Sequence, residues 1–450
     1  MFPKDFSFGA GVSAYQVEGG CKEGGKDLSI WDVYSHKKGN ILDGTDGDRA
    51  IDFYHRYRED LDLARELGLD DFRFSLAWTR VVKEDGSVNR KGVSFYLSLI
   101  EEIKKRGRKP VRTIYHWDRP RWLEKKGGFL PRSVLHDFEN LRRVVSRYFA
   151  PVMDDFISFN EPQCFLYLGY HHGGHAPNLT ATYEELGRRA HHVLLCHALA
   201  SFRIKSVNKK AKVSFVNTFN VPIPVRDDSL LKEKAKKKLF SFPHCAEEFY
   251  TNSIYGDPLY LGHYPVGYQE VRPAFPSFVR QGDRERIGKA RPETIDCNIY
   301  TGTYYDLDKQ GNLMEANGRK GEDSALPWLK KRPLSLYYGS FFRYERYGLP
   351  IRITENGGCY QDSLAEGKVH DRERKEYIRE YLSSLSSAID SGIPIRAYYY
   401  WSLFDNFEWS EGEEKRFGLV YIDYKNGLKR IKKDSFYFYQ ERIRKKKKTD

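Results

Sequence analysis

The chain runs to 450 residues, 40% hydrophobic, 15% aromatic and 30% charged, with a net charge of +13 and a pI near 9.1. This composition excludes a disordered or fibrous chain and leaves ample length for a large core. No window reaches the ~18 apolar residues of a membrane span, and the opening MFPKDFSFGAG lacks the charged-then-apolar pattern of a secretory signal. A soluble, cytoplasmic protein without a membrane partner is expected. Lys and Arg fall along helix faces instead of in one motif, so nucleic acid is not expected as a partner either. The densest basic run, RIRKKKK over 442–448, reads as a solvated tail. The six cysteines, Cys21, Cys164, Cys196, Cys245, Cys297 and Cys359, form no CxxC pair and no regular framework, and read as reduced thiols.

In chain order, apolar and β-branched runs that lead into polar or Gly-rich loops mark strands at 6–12, 71–77, 109–115, 154–159, 212–217, 294–300, 349–354 and 395–403. Between them, helical periodicity covers 49–67, 93–105, 133–149, 183–207, 230–253, 334–347 and 372–391. Regular alternation of strand and helix favours a parallel α/β sheet, and eight strands are what a (β/α)8 TIM barrel needs. No linker, repeat or composition break marks a second unit, so a single barrel over residues 1–450 is expected, with a short basic tail from about 442. Long irregular stretches at 20–47, 258–292 and 306–328 are placed at the rim of a pocket.

Two carboxylate motifs stand where such strands end: Asn160-Glu161-Pro162 and Ile353-Thr354-Glu355-Asn356-Gly357. In a βα barrel, the C-terminal end of the strands is where chemistry sits. A single Glu would ordinarily be a solvated surface carboxylate, but these two have company. Gln16, Arg73, His116, Trp117, Asn160, Asn298, Tyr300 and Trp401 fall at corresponding strand ends. Amide, imidazole and flat aromatic groups are the mix that recognises sugar hydroxyls and the C–H face of a pyranose ring. A carboxyl pair about 5–5.5 Å apart, one protonated and one ionised, is the apparatus of retaining glycoside hydrolysis. Arg73, flanked by Phe72 and Phe74, is costly to bury without a carboxylate partner and is assigned to keep one of the pair ionised. His171, His172 and His175 have no Cys or carboxylate at ligand spacing, and no metal or cofactor is expected.

The chain resembles family-1 glycoside hydrolases, the β-glucosidase and β-galactosidase group, from Phe2 to about Arg442. The resemblance rests on seven stretches in order: Phe8-Gly9-Ala10 through Tyr15-Gln16-Val17-Glu18-Gly19, Tyr54-His55-Arg56-Tyr57, Tyr115-His116-Trp117-Asp118, Phe159-Asn160-Glu161-Pro162, Thr354-Glu355-Asn356-Gly357, Trp401-Ser402 through Glu408-Trp409, and Lys415-Arg416-Phe417-Gly418-Leu419. It implies Glu161 as acid/base and Glu355 as nucleophile, with Arg73, Asn298 and Tyr300 supporting the nucleophile. Gln16, His116, Trp117, Asn160, Trp401, Glu408, Trp409 and Phe417 would hold the sugar, and Trp328 the leaving group. The implied substrates are small β-glycosides or oligosaccharides with terminal glucosyl residues, galactosyl and fucosyl remaining open. Two alternatives stand beside this reading, a 6-phospho-β-glycosidase and a catalytically silent sugar- or protein-binding barrel. Glu408 and the acidic run Ser410-Glu411-Gly412-Glu413-Glu414 weigh against the first, and retention of both glutamates against the second. The chain departs from the family pattern at Arg119, Gln163, Asp296 and Ile299; Gln163 and Arg119 are expected beside the pocket, and 215–292 fits poorly.

Overall fold

The computed structural model describes residues 2–242, 251–268, 275–318 and 320–448. Eight parallel strands close into a barrel: β1 (Ser7–Gly11), β2 (Asp71–Ser75), β3 (Lys109–Tyr115), β4 (Asp155–Asn160), β5 (Lys212–Thr218), β6 (Ile295–Asn298), β7 (Ile351–Asn356) and β8 (Ile395–Trp401). Each pairs with its neighbours in sequence, and β8 returns to β1 with Ser7 opposite Ala397 and Gly11 opposite Trp401. All eight expected strands are present. The sixth is the one most shortened, because the chain leaves the sheet at Ile299.

Alternation along the strands fills the barrel in layers. At the N-terminal end, the Arg352 guanidinium lies between Asp155 (2.8 Å) and Asp296 (2.8 and 2.5 Å), with Lys109 on the other side of Asp155 (2.8 Å). Asp296, unusual in the sequence, is therefore half of a buried ion-pair network and not part of the pocket. Above this lies an apolar plug of Val111, Ile157, Val216, Ala397 and Tyr399. Gly9 and Gly11 leave the room that Tyr399 and Trp401 fill, since a Cβ on Gly9 would lie 2.4 Å from the Tyr399 ring. The layer above the plug carries Arg73, Asn160, Asn298 and Glu355.

Helices over Phe53–Leu67, Arg90–Lys105, Tyr183–Val207, Leu334–Tyr347 and Arg372–Asp390 match the expected periodic segments. The segment 133–149 is α-helical over Val134–Val144 and ends in a π turn, Val145–Phe149. The helix expected over 230–253 is seen as Ser229–Phe240; residues 243–250, with Cys245, lie outside the described ones, and Ser253–Tyr260 forms a separate helix. Among the described residues, the other five cysteines form no disulfide. Part of the stretch expected to be irregular, 306–328, contributes to a rim sheet instead: Gly302–Leu307 pairs antiparallel with Leu313–Glu315 and parallel with Val221–Pro224.

One expectation about charge changes. The final basic run belongs to a helix, Asp434–Lys448, docked by buried Ile443 and by Lys446 and Lys447, whose ammonium groups donate to the Phe6 and Gly68 carbonyls. The helices run back against the strands, so Arg65, Lys104, Lys105, Lys205 and Arg346 in their last turns lie towards the N-terminal end of the barrel, where cations complement the helix dipoles. Among the described residues, no helix is long and apolar enough to cross a membrane.

Candidate active site

A cavity of about 700 Å3 opens at the C-terminal end of the strands. Glu161 and Glu355 both line it, with His116, Trp117, Asn160, Tyr300, Trp328, Trp401, Glu408, Trp409 and Phe417. Arg73 and Asn298 lie beneath the lining, fully buried.

Local structure sets the two carboxyls apart. Glu161 is the first residue beyond β4, in the left-handed region at φ 47°, and precedes the helix Pro162–Tyr167, whose proline occupies the first turn. Trp117 and Trp409 are also left-handed, at φ 76° and 51°. Such conformations cost energy in non-glycine residues and collect at functional sites. The pairing register slips between Ile157 and Asn160 on β4 and between Ile353 and Glu355 on β7, so bulges re-aim both glutamates.

Glu355 is paired with a cation: the Arg73 Nη1 group donates to its Oε1 at 2.5 Å and the Tyr300 hydroxyl to its Oε2 at 2.7 Å. Burial, then the Glu355 charge, raises the Tyr300 phenol well above its usual range, so it keeps the proton it donates. Arg73 also bonds the Thr354 carbonyl (2.9 Å), Asn160 Oδ1 (2.8 Å) and Thr113 Oγ1 (3.2 Å).

Among the described residues, Glu161 has no direct ion pair. Its Oε1 accepts from Asn298 Nδ2 at 2.6 Å and its Oε2 from the Cys164 thiol at 3.1 Å. Burial, then the Glu355 charge, pushes its carboxyl up to about 7, against the pull of those donors and of Arg73. One carboxyl is thus raised by burial and the other is paired with a cation, an asymmetry of the kind that general acid and nucleophilic chemistry require.

A chain of amides links the pair and fixes a tautomer. Arg73 has only donors, so Asn160 presents Oδ1 to it, and Asn298 Nδ2 donates to the same oxygen at 3.1 Å. Asn160 Nδ2 is then directed to His116 Nε2 at 3.1 Å, which must accept. Burial, then Arg73, holds His116 well below its usual pKa, so the ring is neutral with its proton on Nδ1. Among the described residues that Nδ1 has no partner.

Two sequence-based placements need correction. Asn298, expected to support Glu355, donates to Glu161, and its Oδ1 accepts from Thr354 Oγ1 at 2.7 Å. Gln16, expected to touch the ligand, lies fully buried behind Glu408 and donates to Glu408 Oε2 (3.2 Å) and Asn406 Oδ1 (3.1 Å). Arg119 and Gln163 are fully buried and do not line the cavity. Arg119 bonds Glu124 at 2.6 Å and Tyr115 at 3.1 Å, a polar cluster of its own.

Trp409 packs against Trp117 with ring centroids 4.6 Å apart and a tilt of 31°, and His116 stacks on Trp401 at 5.8 Å and 25°, giving an aromatic floor and wall. Burial, then Glu355, pushes Glu408 up to about 8, so near neutrality it both donates to and accepts from hydroxyls. Trp328 stands at the mouth, 55% exposed and edge-on to Tyr300. Sequence reading missed Cys164, Thr218, Asn220 and Thr303 in the lining; no motif marks them, and the last two meet only through the rim sheet, Asn220 donating to Thr303 at 2.8 Å.

The family model "Glycosyl hydrolase family 1" matches residues 1–448. The chain is 33% identical to a 1,4-beta-D-glucan glucohydrolase of Thermotoga neapolitana, covering 100% of this chain and 99% of that protein, and 34% identical to a beta-glucosidase of an Agrobacterium species over 96% and 93%. Among solved structures, the GH1 beta-glucosidase from Exiguobacterium antarcticum B7 superimposes with a TM-score of 0.87 at 32% identity, covering 99% of both chains. The beta-glucosidase from Thermotoga maritima in complex with glucoimidazole gives 0.86 at 30% identity, also over 99% of both. The chain belongs to glycosyl hydrolase family 1 and is a glycoside hydrolase.

Proposed function

We propose that this chain, acting as one catalytic unit, hydrolyses terminal, non-reducing β-D-glucosyl residues with retention, Glu161 serving as acid/base and Glu355 as nucleophile. The observation that carries this reading is the asymmetry of the two carboxyls: Glu355 is paired with Arg73 at 2.5 Å, whereas Glu161 is bonded to neutral donors and raised to about 7.

In the first step, Glu355 attacks the anomeric carbon as Glu161 gives its proton to the departing oxygen. The C–O bond breaks towards the leaving group and a glycosyl ester forms on Glu355. In the second, Glu161, now a carboxylate, takes a proton from water. The water oxygen bonds to the anomeric carbon and the ester electrons return to Glu355, still held by Arg73 and Tyr300. His116, Asn160, Trp401, Glu408, Trp409 and Phe417 hold the sugar, and Trp328 offers a flat face to the leaving group.

Glucose is the first choice because the relatives above are named for glucosidase or glucohydrolase activity. A 6-phosphorylated sugar is disfavoured by the charges available. Glu411 lines the cavity, and its lining cations Lys330 and Arg332 are already engaged, Lys330 with Asp323 at 2.6 Å and Arg332 with Glu322 at 3.0 Å. The test is p-nitrophenol release from β-glucoside, β-galactoside, β-fucoside and 6-phospho-β-glucoside by wild type, Glu355→Gln and Glu161→Gln. Hydrolysis of the unphosphorylated substrates, led by glucoside and lost in Glu355→Gln, is expected. A folded wild type inert on all four would replace this reading with a silent binding barrel.

A further inference from the structure

We propose that Cys164 is a positioning residue for the acid/base, its thiol orienting Glu161 and stabilising the carboxylate form that each catalytic cycle passes through. The proposal rests on Glu161 being the acid/base. Its basis is local. Glu161 caps the helix Pro162–Tyr167, and one turn brings position 164 back over it. The Cys164 backbone N–H donates to the Glu161 carbonyl at 3.0 Å and its Sγ to Oε2 at 3.1 Å. The side chain is only 5% exposed, yet it lines the cavity.

The surrounding hydrogen bonds say what a thiol contributes there. Asn298 cannot turn its amide round, because Asn160 Oδ1 needs its N–H and Thr354 needs its oxygen. A permanent donor therefore occupies Glu161 Oε1, and the acid's proton belongs on Oε2, the oxygen that Cys164 faces. A fixed donor at Oε2 would oppose that proton, and an apolar side chain would leave the carboxylate without a second donor. A thiol is a weak rotor that serves both states. With Glu161 protonated, the S–H turns aside and sulfur accepts. Once the proton has gone to the leaving group, the S–H turns back and donates to the carboxylate. The exchange needs no proton from Cys164, so the proton count of both steps is unchanged.

The other groups acting on Glu161 are the charges of Glu355, which raises it, and Arg73, which lowers it, with Asn298 lowering it by hydrogen bond. Tyr300 and Glu408 share the same electrostatic neighbourhood. All remain in place when Cys164 alone is changed. In Cys164→Ala the carboxylate loses a donor, and the alkaline limb of kcat/KM against pH should move up by on the order of half a pH unit. In Cys164→Ser a stronger donor should return the limb to the wild-type position or below it. A purely structural role would lower the rate without moving the limb.

The experiment measures kcat/KM from pH 4.5 to 9 with p-nitrophenyl β-glucoside for wild type, Cys164→Ala and Cys164→Ser, beside Glu161→Ala with and without azide. An upward shift in the alanine variant, reversed by serine, supports the proposal. Limbs that superimpose in all three Cys164 forms overturn it while leaving Glu161 as acid, provided azide restores turnover to Glu161→Ala. If Glu161→Ala keeps the wild-type limb and azide has no effect, the assignment of the acid fails and this proposal falls with it.

Discussion

Replacing Glu161 by Gln should stabilise the protein, and by an amount that depends on pH. Glu161 is 6% exposed, and its carboxyl is raised from 4.5 to about 7. A pKa raised on folding means that the folded state prefers the proton. The stability associated with this group is then fully present below about pH 4.5 and is lost as pH rises through about 7. The shift corresponds to about 3 kcal/mol. A glutamine at this position would be neutral at every pH and escapes the loss, while its amide oxygen still accepts from Asn298. At an unfolding entropy of ~2.1 cal/mol/K per residue, a chain this long gains about 3 °C in Tm from ~3 kcal/mol. Calorimetry of wild type and Glu161→Gln at pH 4.5 and pH 8 should show near-equal Tm values at the lower pH and a variant advantage of about 3 °C at the higher. An offset equal at both pH values would refute the claim that this site holds a desolvated acid at a cost in stability.

Two buried barrel arginines should respond oppositely to methionine. Arg352→Met leaves Asp155 and Asp296 buried without their main cation and should cost about 3–5 kcal/mol. Arg112 has no hydrogen-bond partner for its guanidinium among the described residues, lies over the rings of Phe74, Tyr96 and Phe149, and is lowered to about 9 by burial. Arg112→Met should therefore leave the denaturation midpoint unchanged or raise it. Trp328→Ala should raise KM for aryl glucosides and cellobiose roughly tenfold, about the worth of one aromatic stacking contact, with no change in inhibition by free glucose; a matching loss of glucose binding would place Trp328 in the sugar site instead of at the mouth.

The barrel was legible because each strand is buried on both faces and so appears as a compact apolar run, as in Asp71–Ser75, where all five residues are buried. The carboxyl pair was legible because Asn160-Glu161-Pro162 and Thr354-Glu355-Asn356 are short, contiguous motifs at strand ends. What escaped depends on register or distant pairing. Asn298, at the end of β6, donates across the barrel mouth to Glu161 at the end of β4, a meeting that depends on strand register and not on any local motif. Asp296 seemed anomalous until Arg352 and Asp155, remote in sequence, came beside it. Arg119 was expected beside the pocket, but its pairing with Glu124, in the short helix that follows, was not legible in the sequence. The rim sheet joins Val221–Pro224 to Gly302–Leu307, a pairing that no local pattern announces.

The most direct test of the central claim is to trap the glycosyl ester. Incubation with 2-deoxy-2-fluoro-β-D-glucosyl fluoride, followed by peptide mass analysis, should release one equivalent of fluoride and place one fluoroglucosyl group on the peptide containing Glu355, with no label on Glu355→Gln. Label on any other carboxylate, or turnover of an ordinary glucoside with inverted anomeric configuration, would contradict the account.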